Sequence, residues 1–175
     1  LLRLEDVMGQ SGDFFRIWTL PTSTAYNGEA RELRTEDHVL PFFEAYMDWR
    51  LAEELCLSNQ AWHRGSDPKS AFFLNDRGEP YKLSPRKKGS TDYQPRSMSA
   101  KLKSFIENAG IEGVTVATYR DSWVKAMYEA GCHHKDLMRV SGIKQKETID
   151  RKTRPAIQDL EKVFKDIYSR VRVAK

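Results

Sequence analysis

Thr118-Tyr119-Arg120-Asp121-Ser122-Trp123 is followed by Glu129-Ala130-Gly131 and then by Leu137-Met138-Arg139-Val140-Ser141-Gly142. A hydroxyl residue, Thr115 or Thr118, is placed to cap the first N–H groups of a helix, and Gly131 is placed to end it. Tyr119, Trp123, Met127 and Ala130 recur at three- and four-residue steps, which predicts that they form the inward face. A shorter helix over Lys135–Val140 stops at Gly142. This stretch therefore reads as two glycine-closed helices, with an arginine near the start of the first.

Working outward toward the end of the chain, Thr153 and Pro155 predict the opening of a last helix. Ile157, Leu160, Phe164, Ile167 and Val171 make a clean stripe along it, expected to pack on its own core. In the other direction, Ser97 is expected to cap a helix with stripe Leu102, Phe105, Ile106 and Ala109, ended by Gly110. Residues 39–57 predict a long helix, with Leu40, Phe43, Met47, Leu51 and Leu55 on one face and Pro41 tolerated in its first turn. Residues 14–20 are of β-favouring types and end at Pro21; Asn27-Gly28 marks a turn, and residues 29–34 are expected to pair back. Ala71-Phe72-Phe73-Leu74 reads as a short buried strand closed by a turn at Asn75-Asp76-Arg77-Gly78, and residues 84–96 read as a long loop. Strands come first and helices later. The fold class is therefore α+β, a small antiparallel hairpin sheet followed by a mainly helical bundle.

Composition narrows the function classes. With 175 residues, 39% of them apolar, the chain is expected to form one domain with a real core rather than a disordered segment. Mean hydropathy is −0.66, and no apolar run long enough to span a bilayer occurs, so no membrane partner is expected. Cys56 and Cys132 are too few for a disulfide scaffold and fit a reducing, cytoplasmic interior. The chain opens Leu1-Leu2-Arg3-Leu4 with no initiator Met and is expected to be part of something longer. Net charge is +4, but it is unevenly spread. Residues 29–54 hold eight acids against three bases, whereas 82–103 hold seven bases against Asp92 and 133–154 hold seven bases against three acids. Such segregation points to a basic face that meets phosphates, with a solvated lysine-rich surface as the plainer explanation.

The order of hairpin, long helix, short strand, basic loop and glycine-closed helices resembles the catalytic domain of the tyrosine recombinases, the phage integrases. Leu1-Leu2-Arg3-Leu4-Glu5-Asp6-Val7 looks like the end of that family's first box, and Asn27-Gly28-Glu29-Ala30-Arg31 like its hairpin turn. Ala71-Phe72-Phe73-Leu74 with Asp76, Gly78 and Pro80 is similar to the strand that follows. Thr118–Trp123, Glu129-Ala130-Gly131 and Leu137–Gly142 resemble the second box. The likeness spans residues 1–175 as one integrase-like domain lacking the upstream first-box helix. It implies DNA recombination or integration, a mobile element and a duplex DNA partner; because the last helix of active relatives docks onto a neighbouring subunit, it also implies a homo-oligomer through residues 155–171 as the alternative to packing of that stripe on its own core.

The resemblance also implies a reaction, in which a DNA phosphoryl group passes to a tyrosine while arginines and a His or Trp stabilise the transition-state charge. Arg120 fits the second-box arginine and would clamp a phosphate. Where the family has His, three residues earlier, stands Ala117; where it has His or Trp after Ser141-Gly142 stands Ile143. The nucleophile's place falls about thirty-two residues past Arg120, at Lys152, and no tyrosine lies between Tyr128 and Tyr168. The hairpin lysine would fall near Ala25–Tyr26, yet no lysine precedes Lys69. The first-box arginine would lie upstream of Leu1. A catalytic set missing that many coupled parts is expected to be inactive, while phosphate binding through many cations survives.

The DNA-binding residues expected on this reading are Arg86, Lys87, Lys88, Arg96, Lys101, Tyr26, Lys144, Arg151, Lys152 and Arg154, forming one cationic surface with Arg120. Cys132-His133-His134 lacks a second ligand pair at zinc spacing, so no metal or other cofactor is expected. Two further readings stay open. One is an active recombinase completed by upstream residues or a partner subunit. The other is a protein-interaction module on the same fold, favoured by the acidic stretch 29–54.

Overall fold

The computed structural model describes residues 1–25, 27–90, 93–154 and 164–165. The chain divides into two compact units, Leu1–Tyr119 and Arg120–Lys175. The architecture is α+β, as the sequence predicts: among the described residues, small antiparallel ladders and five helices of eight residues or more. No helix among the described residues is long and apolar enough to cross a membrane.

In the first unit, strand β1 (Ile17–Leu20) pairs antiparallel with β2 (Arg31–Arg34), Ile17 opposite Arg34 and Leu20 opposite Arg31. Trp18 lies on the half-buried side of β1 and donates its indole N–H to Thr35 Oγ1 at 3.2 Å. The predicted strand from residue 14 is shorter than expected. Phe14 instead makes an isolated bridge with Met8 and turns its ring into the core.

Helix α1 runs over Leu40–Ala52, with Pro41 in its first turn where a missing N–H costs nothing. Met47 is fully buried, and Leu40, Phe43 and Tyr46 pack on the same cluster as Leu4, Val7, Met8, Phe14 and Phe72. The helix does not reach residue 57. Glu54 and Cys56 adopt positive φ, and the chain turns back so that the Asp67 N–H donates to the Cys56 carbonyl at 2.7 Å. Leu55, expected on the helical stripe, instead lies against Gly78, where an added Cβ would sit 2.4 Å from its Cδ2.

Residues 71–74 do not form a strand, because their backbone finds side-chain partners instead of a neighbouring ladder. Arg50, fully buried, donates Nη1 to the carbonyls of Ala71 (3.2 Å) and Phe72 (3.1 Å) and Nη2 to Ser70 Oγ (2.9 Å). Tyr46 donates its hydroxyl to the Phe72 carbonyl at 2.9 Å and accepts from the Leu74 N–H at 2.8 Å. Burial of this phenol pushes its pKa above the ordinary 10.0, an effect opposed by the hydrogen bond from Leu74. Only single bridges remain, Arg3 to Ala71 and Leu74 to Pro80.

The long loop 84–96 contains a short ladder, β3 (Ser84–Pro85) against β4 (Tyr93–Gln94). Helix α2 (Arg96–Asn108) then begins at Arg96, and Ser97 falls inside its first turn rather than capping it. None of its residues is buried: Leu102 and Phe105 are exposed, contrary to the predicted core stripe. Helix α3 (Val116–Glu129) crosses from one unit into the next, and Thr115 Oγ1 accepts from the Thr118 N–H at 3.1 Å at its start. Tyr119, Trp123 and Met127, predicted inward, are on the exposed side, and Val124 is the α3 residue that is buried.

The second unit has a small aliphatic core of Val124, Leu137, Ile143 and Ile149. Helix α4 (His134–Ser141) ends as expected at Gly142, whose left-handed backbone (φ 69°) suits glycine. Helix α5 (Lys146–Thr153) is not anticipated by the sequence pattern, and Thr153, expected at the opening of a last helix, is the final residue of α5. The predicted helix from Pro155 and its apolar stripe lie largely outside the described residues, as does Tyr26.

Candidate functional site

In the second unit, Arg120 on α3 reaches the C-terminus of α4, where its Nη2 donates to the Ser141 carbonyl at 3.1 Å. The carbonyl end of a helix is a favourable place for a cation, so the contact holds the guanidinium without neutralising it. The remaining guanidinium nitrogens of this exposed side chain have no partner among the described residues. One residue on, Asp121 accepts from Lys152 Nζ of α5 at 2.5 Å. Arg120 and Lys152 are thus anchored on the same turn of α3, although they are far apart in sequence.

Packing explains how they meet. Ile149 on α5 and Leu137 on α4 are fully buried against Val124, and this fixes where α5 lies on α3. Lys152 follows Ile149 by three residues and lies almost one turn farther along α5. A second cross-brace joins the helices: His134 and Asp150 side chains meet at 2.6 Å. His133 caps α4, its ring nitrogen accepting from the Lys135 N–H at 3.3 Å. Both histidines therefore have structural partners, and among the described residues no group of three His, Cys, Asp or Glu comes together to hold a metal ion.

Two positions that the family resemblance singles out lie as follows. Ile143 is in the core with Leu137 and Ile149, so its side chain fills space and offers no hydrogen bond. Ala117, in the first turn of α3, has a methyl side chain and nothing to donate. Arg151 and Arg154 are exposed and without partners among the described residues, while Lys144 is exposed and already engaged.

In the first unit, Lys87 and Lys88 are exposed at the loop between β3 and β4 and have no partner among the described residues; Arg86 is exposed and engaged. Arg96 closes this loop, donating Nη2 to the carbonyls of Pro85 (3.0 Å) and Arg86 (3.1 Å). Lys101 is paired with Asp76 at 2.7 Å and lies 5.2 Å from the centre of the Phe105 ring. Of the cations in this stretch, Lys87 and Lys88 are the most available, whereas Arg96 shapes the loop that presents them.

No family model matches the sequence, and no curated protein matches it. Among solved structures, the chain is similar to XerA recombinase, with a TM-score of 0.61 and 14% sequence identity, over 94% of this chain and 50% of that one. The two share a fold. The chain spans half the length of that recombinase structure, and at this identity the likeness concerns architecture and not the residues of a site.

Asp121 is the site residue that the sequence reading missed. Its adjacency to Arg120 was visible, but its partner Lys152 lies 31 residues away and is brought in only by α5. The His134–Asp150 brace was missed for the same reason.

Proposed function

We propose that this chain is a duplex-DNA-binding domain on a recombinase fold that grips phosphates and does not transfer them. The observation that carries the reading is the arrangement around α3. Arg120 is held at the end of α4 with guanidinium nitrogens to spare, and Lys152 is fastened to Asp121, the next residue of α3. An arginine and a lysine supported in this way suit a phosphodiester oxygen.

The same neighbourhood argues against strand cleavage by the route that the family resemblance implies. Lys152 stands where a tyrosine is needed for a phosphotyrosyl bond. Ile143 is packed in the core where a donor is needed, and Ala117 has none to offer. A phosphate held by Arg120 and Lys152 has no tyrosine to attack it, and neither Ala117 nor Ile143 donates to it. Exposed Arg151, Arg154, Lys87 and Lys88 add sequence-independent contacts in each unit.

Fluorescence anisotropy on a labelled duplex across a salt series tests the reading. Binding should weaken steeply with salt, the logarithm of affinity falling by about 0.9 per phosphate contact for each tenfold rise in salt. Absence of binding at low salt, or a flat salt dependence, would overturn it. An adduct that survives denaturation, formed on a nicked duplex, would instead favour an active recombinase completed by other groups.

A further inference from the structure

The first unit contains two adjoining cavities that none of the cations above explains. One, of about 520 Å³, is walled by Phe73, Tyr81, Leu83, Tyr93 and Met98. The other, of about 610 Å³, is lined by Arg3, Asp6, Lys69 and Pro80. They share Leu1, Ser23 and Thr24, so together they form a cleft with an aromatic chamber, a hydroxyl-bearing waist and a chamber lined by Arg3, Lys69 and Asp6. Each volume falls in the range of ligand pockets, roughly 300–1,000 Å³.

The chemistry of the two chambers differs in a definite way. Tyr93 and Phe73 are 55% and 41% exposed, so ring surface is open to a ligand. Lys69 is exposed, and its ammonium group has no partner among the described residues. Arg3 pairs with Glu5 at 3.2 Å at the surface, a contact that solvent weakens. Asp6 lines the same chamber; its Oδ2 accepts from the Arg3 backbone N–H at 2.7 Å, and the charges of Lys69 and Arg3 oppose its own. A flat apolar body joined to an anion matches this pattern. Lys82, between the wall residues Tyr81 and Leu83, and Lys87 and Lys88, between Leu83 and Tyr93, are exposed on the same stretch of chain.

We propose that this cleft binds one unpaired nucleotide of a nucleic-acid strand, with its base against Tyr81 and Tyr93 and its phosphate toward Lys69 and Arg3. The inference rests on the phosphate-binding reading above and adds to it, in the first unit, a contact that a paired base cannot make. A base inside a duplex is stacked on both faces and cannot offer one to an aromatic ring, whereas an unpaired base can. Aromatic stacking of this kind tolerates any base, so no sequence preference is required.

The test compares a short oligo-dT, an abasic strand of the same length and a duplex of the same length, by fluorescence anisotropy at one low salt concentration. The oligo-dT should bind about tenfold more tightly than the abasic strand. Tyr93→Ala and Tyr81→Ala, each checked for an unchanged circular dichroism spectrum, should erase that difference, and Lys69→Ala should weaken both strands alike. If the duplex binds but oligo-dT and the abasic strand bind equally, the cleft is not a base site and the phosphate reading stands. A preference for oligo-dT that persists in both tyrosine variants also overturns the cleft. If none of the three binds, both readings fall.

Discussion

The two units use their polar side chains in opposite ways. In the first, Arg50 is completely buried and its guanidinium holds the backbone of residues 70–72 in place of a neighbouring strand. Arg64 serves a similar end: it donates Nε to the Gly12 carbonyl at 2.7 Å and grips Glu44 through both Nη atoms. That grip raises the Arg64 pKa further above its ordinary value. In the second unit the buried side chains among the described core residues are aliphatic, Val124, Leu137, Ile143 and Ile149, and Arg120, Lys152 and His134 tie helices together from outside them. The lesson is that a cation's partner decides its use. Arginines that saturate backbone carbonyls inside a core build the fold, whereas an arginine resting on one helix-end carbonyl remains available to a ligand.

The sharpest break of this contrast is Arg50→Met. Removing the guanidinium leaves the Ala71 and Ser70 groups short of donors within the core. It should destabilise the first unit by about 4 kcal/mol in a denaturant melt followed by tryptophan fluorescence. The loss should come without any change in the salt dependence of DNA binding by the fraction that stays folded.

Leu137→Ala comes next. Leu137 is fully buried in a core of four residues, and the truncation should cost about 3 kcal/mol, read as faster hydrogen exchange in α4 and α5. Loss of α5 would also release Lys152 from Asp121.

Tyr46→Phe is smaller and has a pH signature. The folded phenol holds its proton above the ordinary 10.0, so its contribution to stability is complete below that pH. It is lost as pH rises through the folded value, because the unfolded chain ionises first. Melts on either side of pH 10.0 should show this alkaline loss in the parent chain and a weaker loss in Tyr46→Phe. The smallest stability effect belongs to Lys152→Ala, under about 1 kcal/mol, since its pairing with Asp121 is partly solvated. The same variant should still weaken duplex binding measurably.

The same contrast explains what the sequence could and could not reveal. Helix α4 was legible because Leu137 and Gly142 mark its buried face and its end. Helix α5 was not, since Lys146–Thr153 carries a single apolar residue, Ile149, and one residue has no periodicity. The hairpin β1–β2 was legible from its turn and alternation. The segment 71–74 was read as a strand because extended apolar residues look alike whether a ladder or an arginine satisfies their backbone. The stripes on α2 and α3 have true helical spacing, yet spacing alone does not say that a face is covered, and Phe105 and Tyr119 are open. For the candidate site, Arg120 was visible as part of a motif. Its support was not, because a backbone carbonyl at Ser141 and a carboxylate met across 31 residues leave no local pattern.

The central claim is that cations of the second unit, rather than a nucleophile, hold the DNA backbone. The salt slope of duplex binding, compared between the parent chain and an Arg120→Ala, Arg151→Ala, Arg154→Ala variant, tests it most directly. The account predicts that the slope falls by about one for each arginine removed, with affinity lost equally on unrelated sequences. A variant that binds with the parent's affinity and an unchanged slope would contradict it.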